Sequence, residues 1–226
     1  MTPHVTIPVN EKGRDFVVGD IHGHYDLLME ELSYEGFDAA QDRVFSVGDL
    51  IDRGPNSLAC LKLLDCPWFY AVRGNHEQMM MNWALGRSRA NWQRAFGMWT
   101  EDMDKAEIAV CVESLMDLPI SMTIMGETYS VGICHAEPAG FNWTEMISDE
   151  GCFHQMMWGR KVLTGNVDPR PVEGVDITVH GHTPLPEMRR IGNRFFLDTG
   201  AGQGKRLTVQ KIGFLVQQYR DFAALA

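Results

Sequence analysis

Three times in its first half the chain repeats one pattern: a short apolar run, a turn rich in Gly, Asp and His or Asn, then apolar residues at helical spacing. Residues 14–18 read as a buried strand ended by Gly19. Tyr25, Leu28, Met29 and Leu32 then fall at i, i+3, i+4 and i+7, the stripe of an amphipathic helix. A second run, Val44 to Val47, stops at Gly48, and Pro55 suits the first residue of a helix carrying Leu58, Leu61 and Leu64. The third, Trp68 to Val72, ends at Arg73-Gly74 and leads into helical sequence from Glu77 to Leu85. This is a βαβαβ unit. Asp20, Asp49 and Asn75 are separated by 29 and 26 positions, close to the ~30 residues of a βαβ unit. Each therefore belongs at the carboxyl end of a parallel strand, the edge where open α/β sheets place their sites.

Between 86 and 118, Trp92, Phe96 and Trp99, then Ile108, Cys111, Val112, Leu115 and Leu118, predict helices packed over the sheet and ended by Pro119. Beyond it the pattern changes to short strands at Ile120–Met125, Thr128–Ile133, Ile177–His180, Glu187–Ile191, Arg194–Leu197, Leu207–Lys211 and Phe214–Tyr219. Turns fall at Gly126-Glu127, Gly192-Asn193 and Ile212-Gly213, so this half is expected to be mainly antiparallel. The loose stretch is Gly165 to Gly174. The expected fold class is α/β: two packed mixed β-sheets flanked by helices, in one domain spanning 1–226.

Composition narrows the function. An apolar fraction of 45% in 226 residues is enough for a sizeable core. A net charge of −10 opposes nucleic acid as a partner, since that requires a basic face. Five cysteines without a CxxC pair indicate neither a disulfide framework nor a zinc ribbon, which fits a reducing compartment. No signal pattern opens the chain and no run nears the ~18 apolar residues of a membrane span. A cytoplasmic protein without a membrane partner is expected.

The turns carry the chemistry. Asp20 and His22 alternate after a strand and can face one cation, with Gly19 and Gly23 permitting a tight turn. Asp49 can bridge two cations about 3.5–4 Å apart through its two oxygens. Asp52, further round the turn, can orient a histidine by accepting its ring N–H. Asn75 offers a carbonyl oxygen to a metal and an amide to a phosphate. His76, pointing elsewhere by alternation and held by Asp52, suits protonation of a leaving alkoxide or phenoxide; Glu77 supports from behind. His135 and His182 would complete a second metal, His182 being chosen over His180 because Gly181 and the Thr183-Pro184 turn favour it. His4, His24 and His154 are given no role. Two metals and a bridging carboxylate suggest a bridging water of depressed pKa as nucleophile for in-line attack on phosphorus. Arg53 and Arg160 can clamp phosphate oxygens. Taken alone, Asp20 and His22 read more readily as a solvated loop carboxylate beside a hydrogen-bonded imidazole, and Arg160 as a surface charge. Glu77 reads equally well as a helix-start carboxylate, and Arg53 has the support of its motif.

Taken together, Gly19-Asp20-Ile21-His22-Gly23, Gly48-Asp49-Leu50-Ile51-Asp52-Arg53-Gly54 and Gly74-Asn75-His76-Glu77 resemble the phosphoprotein phosphatase family of metallophosphoesterases. Ile133-Cys134-His135-Ala136, Gly181-His182-Thr183-Pro184 and Asp198-Thr199-Gly200-Ala201 extend the likeness to its bacteriophage-lambda type, along nearly the whole chain. The resemblance implies a first metal on Asp20, His22 and Asp49 and a second on Asp49, Asn75, His135 and His182. It also implies His76 with Asp52 as acid pair, and Arg53 and Arg160 on phosphate. Such enzymes use manganese, act on phosphoserine, phosphothreonine and often phosphotyrosine, and need no regulatory subunit; the ligand set is also compatible with Fe or Zn²⁺. The chain departs from the family in three places. It lacks the Ser-Ala-Pro-Asn-Tyr-Cys stretch of eukaryotic relatives, has His24 where Cys is common, and has Gly159 before Arg160. The rival is a symmetrical diadenosine tetraphosphate hydrolase, whose family tends to have Ala where this chain has Asp52 and Asp where it has Glu77. A metal-binding phosphoprotein adaptor without turnover is the alternative of another class.

Overall fold

The structure, a computed structural model, describes residues 3–88, 91–165 and 168–225. The expected βαβαβ unit consists of β2 (Asp15–Val18), α1 (Tyr25–Tyr34), β3 (Arg43–Ser46), α2 (Ser57–Lys62) and β4 (Phe69–Ala71), with α3 (Asn75–Ala84) following. Its three strands are parallel neighbours, and β10 (Val209–Lys211) adds antiparallel to β2, giving a four-stranded sheet in the order β10-β2-β3-β4. The second sheet runs β1-β5-β6-β7-β9-β8, from β1 (His4–Ile7), β5 (Ser121–Met125), β6 (Ser130–Cys134), β7 (Ile177–His180), β8 (Arg189–Ile191) and β9 (Arg194–Phe196).

Strand alternation sorts the cores. Phe16, Val18 and Val44 face a cluster with Leu28, Leu32, Met80 and Leu115, so one face of the four-stranded sheet is covered by helices. Val17 and Phe45 point the other way, into a cluster with Ile124, Ile133, Val179 and Phe195 from the larger sheet. Cys134, Trp143, Met146 and Met156 form a third cluster under α6 (Trp143–Met146) and α7 (Glu150–Trp158). The result is helices, sheet, sheet, helices. Both sheets are mixed.

Several expectations need correction. The second half is not mainly antiparallel, because β1 pairs with β5, β6 with β7 and β7 with β9 in parallel. The strand expected at Phe214–Tyr219, with its turn at Ile212-Gly213, is instead part of α9 (Ile212–Ala223). Ile212, Leu215 and Val216 are buried at i, i+3 and i+4 while Phe214 is exposed, so the helical period wins. Pro55 does not start its helix: the Asn56 side chain accepts the Ala59 N–H, and α2 begins at Ser57. α3 begins two residues earlier than expected, with Glu77 accepting the N–H of Gly74 just before the helix and Asp49 Oδ1 accepting that of His76 in its first turn. The cap holds α4 (Trp92–Ala95), a 3₁₀ turn at Met98–Thr100 and α5 (Lys105–Met116). Of the loose stretch, Asn166 and Val167 lie outside the described residues.

Candidate active site

The loops after β2, β3, β4, β6 and β7 converge at one edge of the two sheets. Among the described residues, five non-glycine residues have a φ in the left-handed region: His22, Asp49, Asp52, Arg53 and His182. All five belong to the predicted site. Such conformations cost of order 1–3 kcal/mol each and persist only where surrounding contacts fix them.

Those contacts are visible. Glu77, fully buried, accepts the N–H groups of Asp49 (2.9 Å), Leu50 (2.8 Å) and Gly74 (2.8 Å), so one carboxylate ties the second turn to the third. Gly74 allows the approach, since a Cβ there would meet Asp49 and Glu77. At Gly181 a Cβ would strike the Asp20 carboxylate, whose two oxygens accept the His182 N–H at 3.0 Å each. Arg73, left without a role by the sequence, is buried and donates to the Met116 and Leu118 carbonyls at 3.0 Å, fixing the third turn to the end of α5.

Asp49 stands at the centre. Its Oδ2 lies 3.5 Å from His22 Nε2 and 4.0 Å from His76 Nε2, while its Oδ1 lies 3.4 Å from His135 Nε2. On the Oδ1 side, Asn75 Oδ1 is 3.0 Å from His135 Nε2 and 2.7 Å from His182 Nδ1, and the two imidazole nitrogens are 3.2 Å apart. Two groups of potential metal ligands result, His22/Asp49/His76 and Asp49/His135/His182, and they share Asp49. Asp20 borders the same cluster, interacting with Asp49 and His135 while its carboxylate accepts the His182 N–H.

Hydrogen-bond partners separate the histidines. His22 Nδ1 faces the Ile51 carbonyl at 2.9 Å and His135 Nδ1 the Val47 carbonyl at 2.8 Å. A carbonyl only accepts, so both Nδ1 atoms carry protons and both Nε2 atoms are the ones turned inward. His76 Nδ1 faces the Asp52 carboxylate at 2.6 Å. Burial pushes His22 down to about 4 and His182 to about 3. It also opposes a charge on His76, but Asp49 and the Asp52 hydrogen bond outweigh it and raise the pKa. What sets His76 apart from His22 and His135 is that its Nδ1 is held by a carboxylate, a partner that stabilises the imidazolium and so suits a proton donor.

The donor set fits divalent cations. Burial likewise opposes charge on His135, yet Asp49 and Asp20 outweigh it and raise the pKa to about 10: the cluster demands positive charge. Three carboxylates, Asp20, Asp49 and Asp198, are each at most 2% exposed here, and burial with Asp198 as neighbour holds the Asp20 carboxyl above its usual range. Arg53 already presents its guanidinium to the ring nitrogens of His22 (2.9 Å) and His76 (3.1 Å), while remaining exposed on the open side.

Arg160 sits at the rim, donating to Thr183 Oγ1 at 3.2 Å, next to His182. Its loop is anchored by a residue the sequence reading missed. Glu137, 1% exposed, accepts the N–H groups of Lys161 (3.0 Å) and Val162 (2.7 Å) at the start of α8 (Lys161–Thr164). Gly159 leaves room for it, because a Cβ there would collide with the Glu137 side chain. His180 is confined to the interior, against Thr178 Oγ1 (2.8 Å) and the Cys134 carbonyl (3.1 Å). Also missed were Trp92 and Trp99, read only as core; the signal was that a buried indole N–H needs an acceptor.

Comparison with known proteins places this geometry. The model of the calcineurin-like phosphoesterase family matches residues 16–200. A curated relative, serine/threonine-protein phosphatase 1 of Salmonella typhimurium, is 38% identical over 203 residues, covering 87% of this chain and 91% of that one. A symmetrical bis(5'-nucleosyl)-tetraphosphatase of Dechloromonas aromatica is 36% identical over 110 residues, 48% of this chain and 39% of that one. Among solved structures, a protein serine/threonine phosphatase from Saccharomyces cerevisiae superposes with a TM-score of 0.65 at 16% identity, over 93% of this chain and 83% of that one, a likeness of fold.

Proposed function

The chain belongs to the calcineurin-like phosphoesterase family, and on that premise we propose that it is a protein phosphatase that removes phosphate from phosphoserine and phosphothreonine, and also from phosphotyrosine. The observation that carries this reading is Asp49, one oxygen turned to each ligand group, with a carboxylate-held His76 beside it. We assign one cation to Asp20, His22 and Asp49 and the other to Asp49, Asn75, His135 and His182. Manganese is the favoured metal; Fe and Zn²⁺ suit the same carboxylate, carboxamide and imidazole donors. When bound, the pair supplies positive charge and an activated water for in-line attack on phosphorus.

The chain's own residues do the rest. Arg53 and Arg160 hold phosphate oxygens, Arg53 leaving its imidazole contacts to do so, and the Asn75 amide adds a donor. His76 passes its Nε2 proton to the leaving oxygen, while Asp52 stabilises the imidazolium that precedes transfer. No helix of the described residues is long and apolar enough to cross a membrane, and the substrates proposed are phosphoproteins or phosphopeptides, handled without a regulatory subunit.

Two observations favour a phosphomonoester over diadenosine tetraphosphate. Similarity to the named serine/threonine phosphatase runs along 87% of the chain, against 48% for the named tetraphosphatase. The Asp52–His76 pair, absent where Ala replaces Asp52, is fully formed. The test is a panel on the purified chain alone with Mn²⁺, Fe²⁺ or Zn²⁺, comparing phosphopeptides with dinucleoside polyphosphates. Phosphate release from phosphoserine and phosphothreonine peptides is expected. Rapid tetraphosphate cleavage with no release from peptides would reassign the substrate, and binding of phosphopeptide without any turnover would support the adaptor.

A further inference from the structure

Asp52 carries more hydrogen bonds than the acid pair requires. Trp92 Nε1 donates to its Oδ2 at 2.8 Å and Trp99 Nε1 to its Oδ1 at 2.9 Å, alongside His76 Nδ1 at 2.6 Å. The carboxylate is wholly buried, and Trp92 is 3% exposed. Both indoles come from the cap, Trp92 from α4 and Trp99 from the 3₁₀ turn at Met98–Thr100. Their rings pack edge to face at 6.1 Å, and between them in sequence Phe96 lays its ring edge-on to His76 at 4.9 Å.

Core packing alone does not explain this arrangement. Two indoles donating to opposite oxygens of one carboxylate fix the plane of that carboxylate, and a ring held at 2.6 Å from it turns when it turns. The backbone cannot do this by itself: Asp52 sits in the left-handed region, with its N–H on Ser57 Oγ, and its side chain extends from the turn toward the cap. We propose that Trp92 and Trp99 are positioning residues for proton donation, aiming His76 Nε2 at the leaving oxygen through Asp52. The inference rests on the reading of His76 as proton donor. It makes the cap a working part of the site rather than a cover over the sheet.

Positioning of a proton donor matters only where the leaving group needs a proton. Trp92→Phe and Trp99→Phe keep a ring in place and remove the donor; Trp83→Phe, whose ring packs on Trp92 at 5.3 Å, controls for aromatic packing. With Mn²⁺-loaded protein, each donor variant is expected to lower kcat on a phosphoserine peptide about tenfold, the size typical of a hydrogen bond to a charged group. KM, bound Mn²⁺ and kcat on 2,4-dinitrophenyl phosphate should stay at the parent value, and Trp83→Phe should leave both substrates alone. Trp99, the less buried of the two, provides the second variant if Trp92→Phe does not fold.

Equal losses on both substrates, or no loss on either, would overturn the proposal. His76→Asn is measured in parallel. If His76→Asn discriminates between the substrates and the Trp variants do not, the positioning role falls and the proton donor stands. If His76→Asn itself fails to discriminate, the proton-donor reading falls and the positioning role with it.

Discussion

His22 and His135 give their Nδ1 protons to main-chain carbonyls, at 2.9 Å and 2.8 Å, whereas His76 gives its own to a buried carboxylate at 2.6 Å. The residue type and edge of the fold are the same, and only the partner differs. A neutral carbonyl holds the Nδ1 proton and leaves Nε2 turned inward, which is what a metal ligand needs. A carboxylate stabilises the imidazolium, which is what a proton donor needs. His180 is a third case: held by a hydroxyl and a carbonyl in the interior, it is kept neutral by burial and turned away from the site. The role of an imidazole here is set by what holds its far nitrogen.

The largest effect comes from removing what the two ligand groups share. Asp49→Asn should abolish turnover and weaken both metals together in calorimetric titration; one metal retained at wild-type affinity would break the bridge. Glu77→Gln is the next test. Because Glu77 accepts the Asp49 N–H, both groups should loosen at once, with metal affinity or activity falling about 10–100-fold. A loss confined to one metal would show that the shared strut is elsewhere.

Glu137→Gln acts only at the rim. With the α8 start no longer anchored, KM for phosphopeptide and Ki for inorganic phosphate should both rise about tenfold. An unchanged Ki would remove Arg160 from the phosphate clamp.

The smallest effect is on stability alone. Burial pushes His180 down to about 3 in the folded chain, below its ordinary value of 6.5. Between those values the unfolded chain binds the extra proton, so stability falls as pH drops below 6.5, by about 1.4 kcal/mol per unit once well into that window. Denaturation of metal-free wild type and His180→Gln from pH 7 to 5 should show the steeper slope in wild type. Parallel slopes would contradict a neutral, structural His180.

Much of this was legible in the chain. Asp20, Asp49 and Asn75 could be placed on one edge because strand ends and βαβ spacing are local properties, and His76 with Asp52 followed from the turns that carry them. The misreadings have physical causes. Phe214 to Tyr219 contains as many apolar residues as a strand, and only the burial of Ile212, Leu215 and Val216 reveals the helical period. Glu137, Trp92 and Trp99 were missed because their roles depend on partners 24, 40 and 47 positions away. No local pattern encodes those contacts. Asp20 was read with His22 by alternation, but its bond to the His182 N–H, across 162 positions, is what the fold adds.

The central claim is that a carboxylate partner makes His76 the proton donor. The most direct measurement is the dependence of kcat on leaving-group pKa for wild type and His76→Asn, across phosphate esters from dinitrophenyl to alkyl. The variant should lose about 10²–10⁴-fold on alkyl esters and progressively less as the leaving group becomes more acidic, giving a steeper slope than wild type. Parallel lines, with the same loss at every leaving group, would contradict the claim and leave His76 a structural histidine beside the metals.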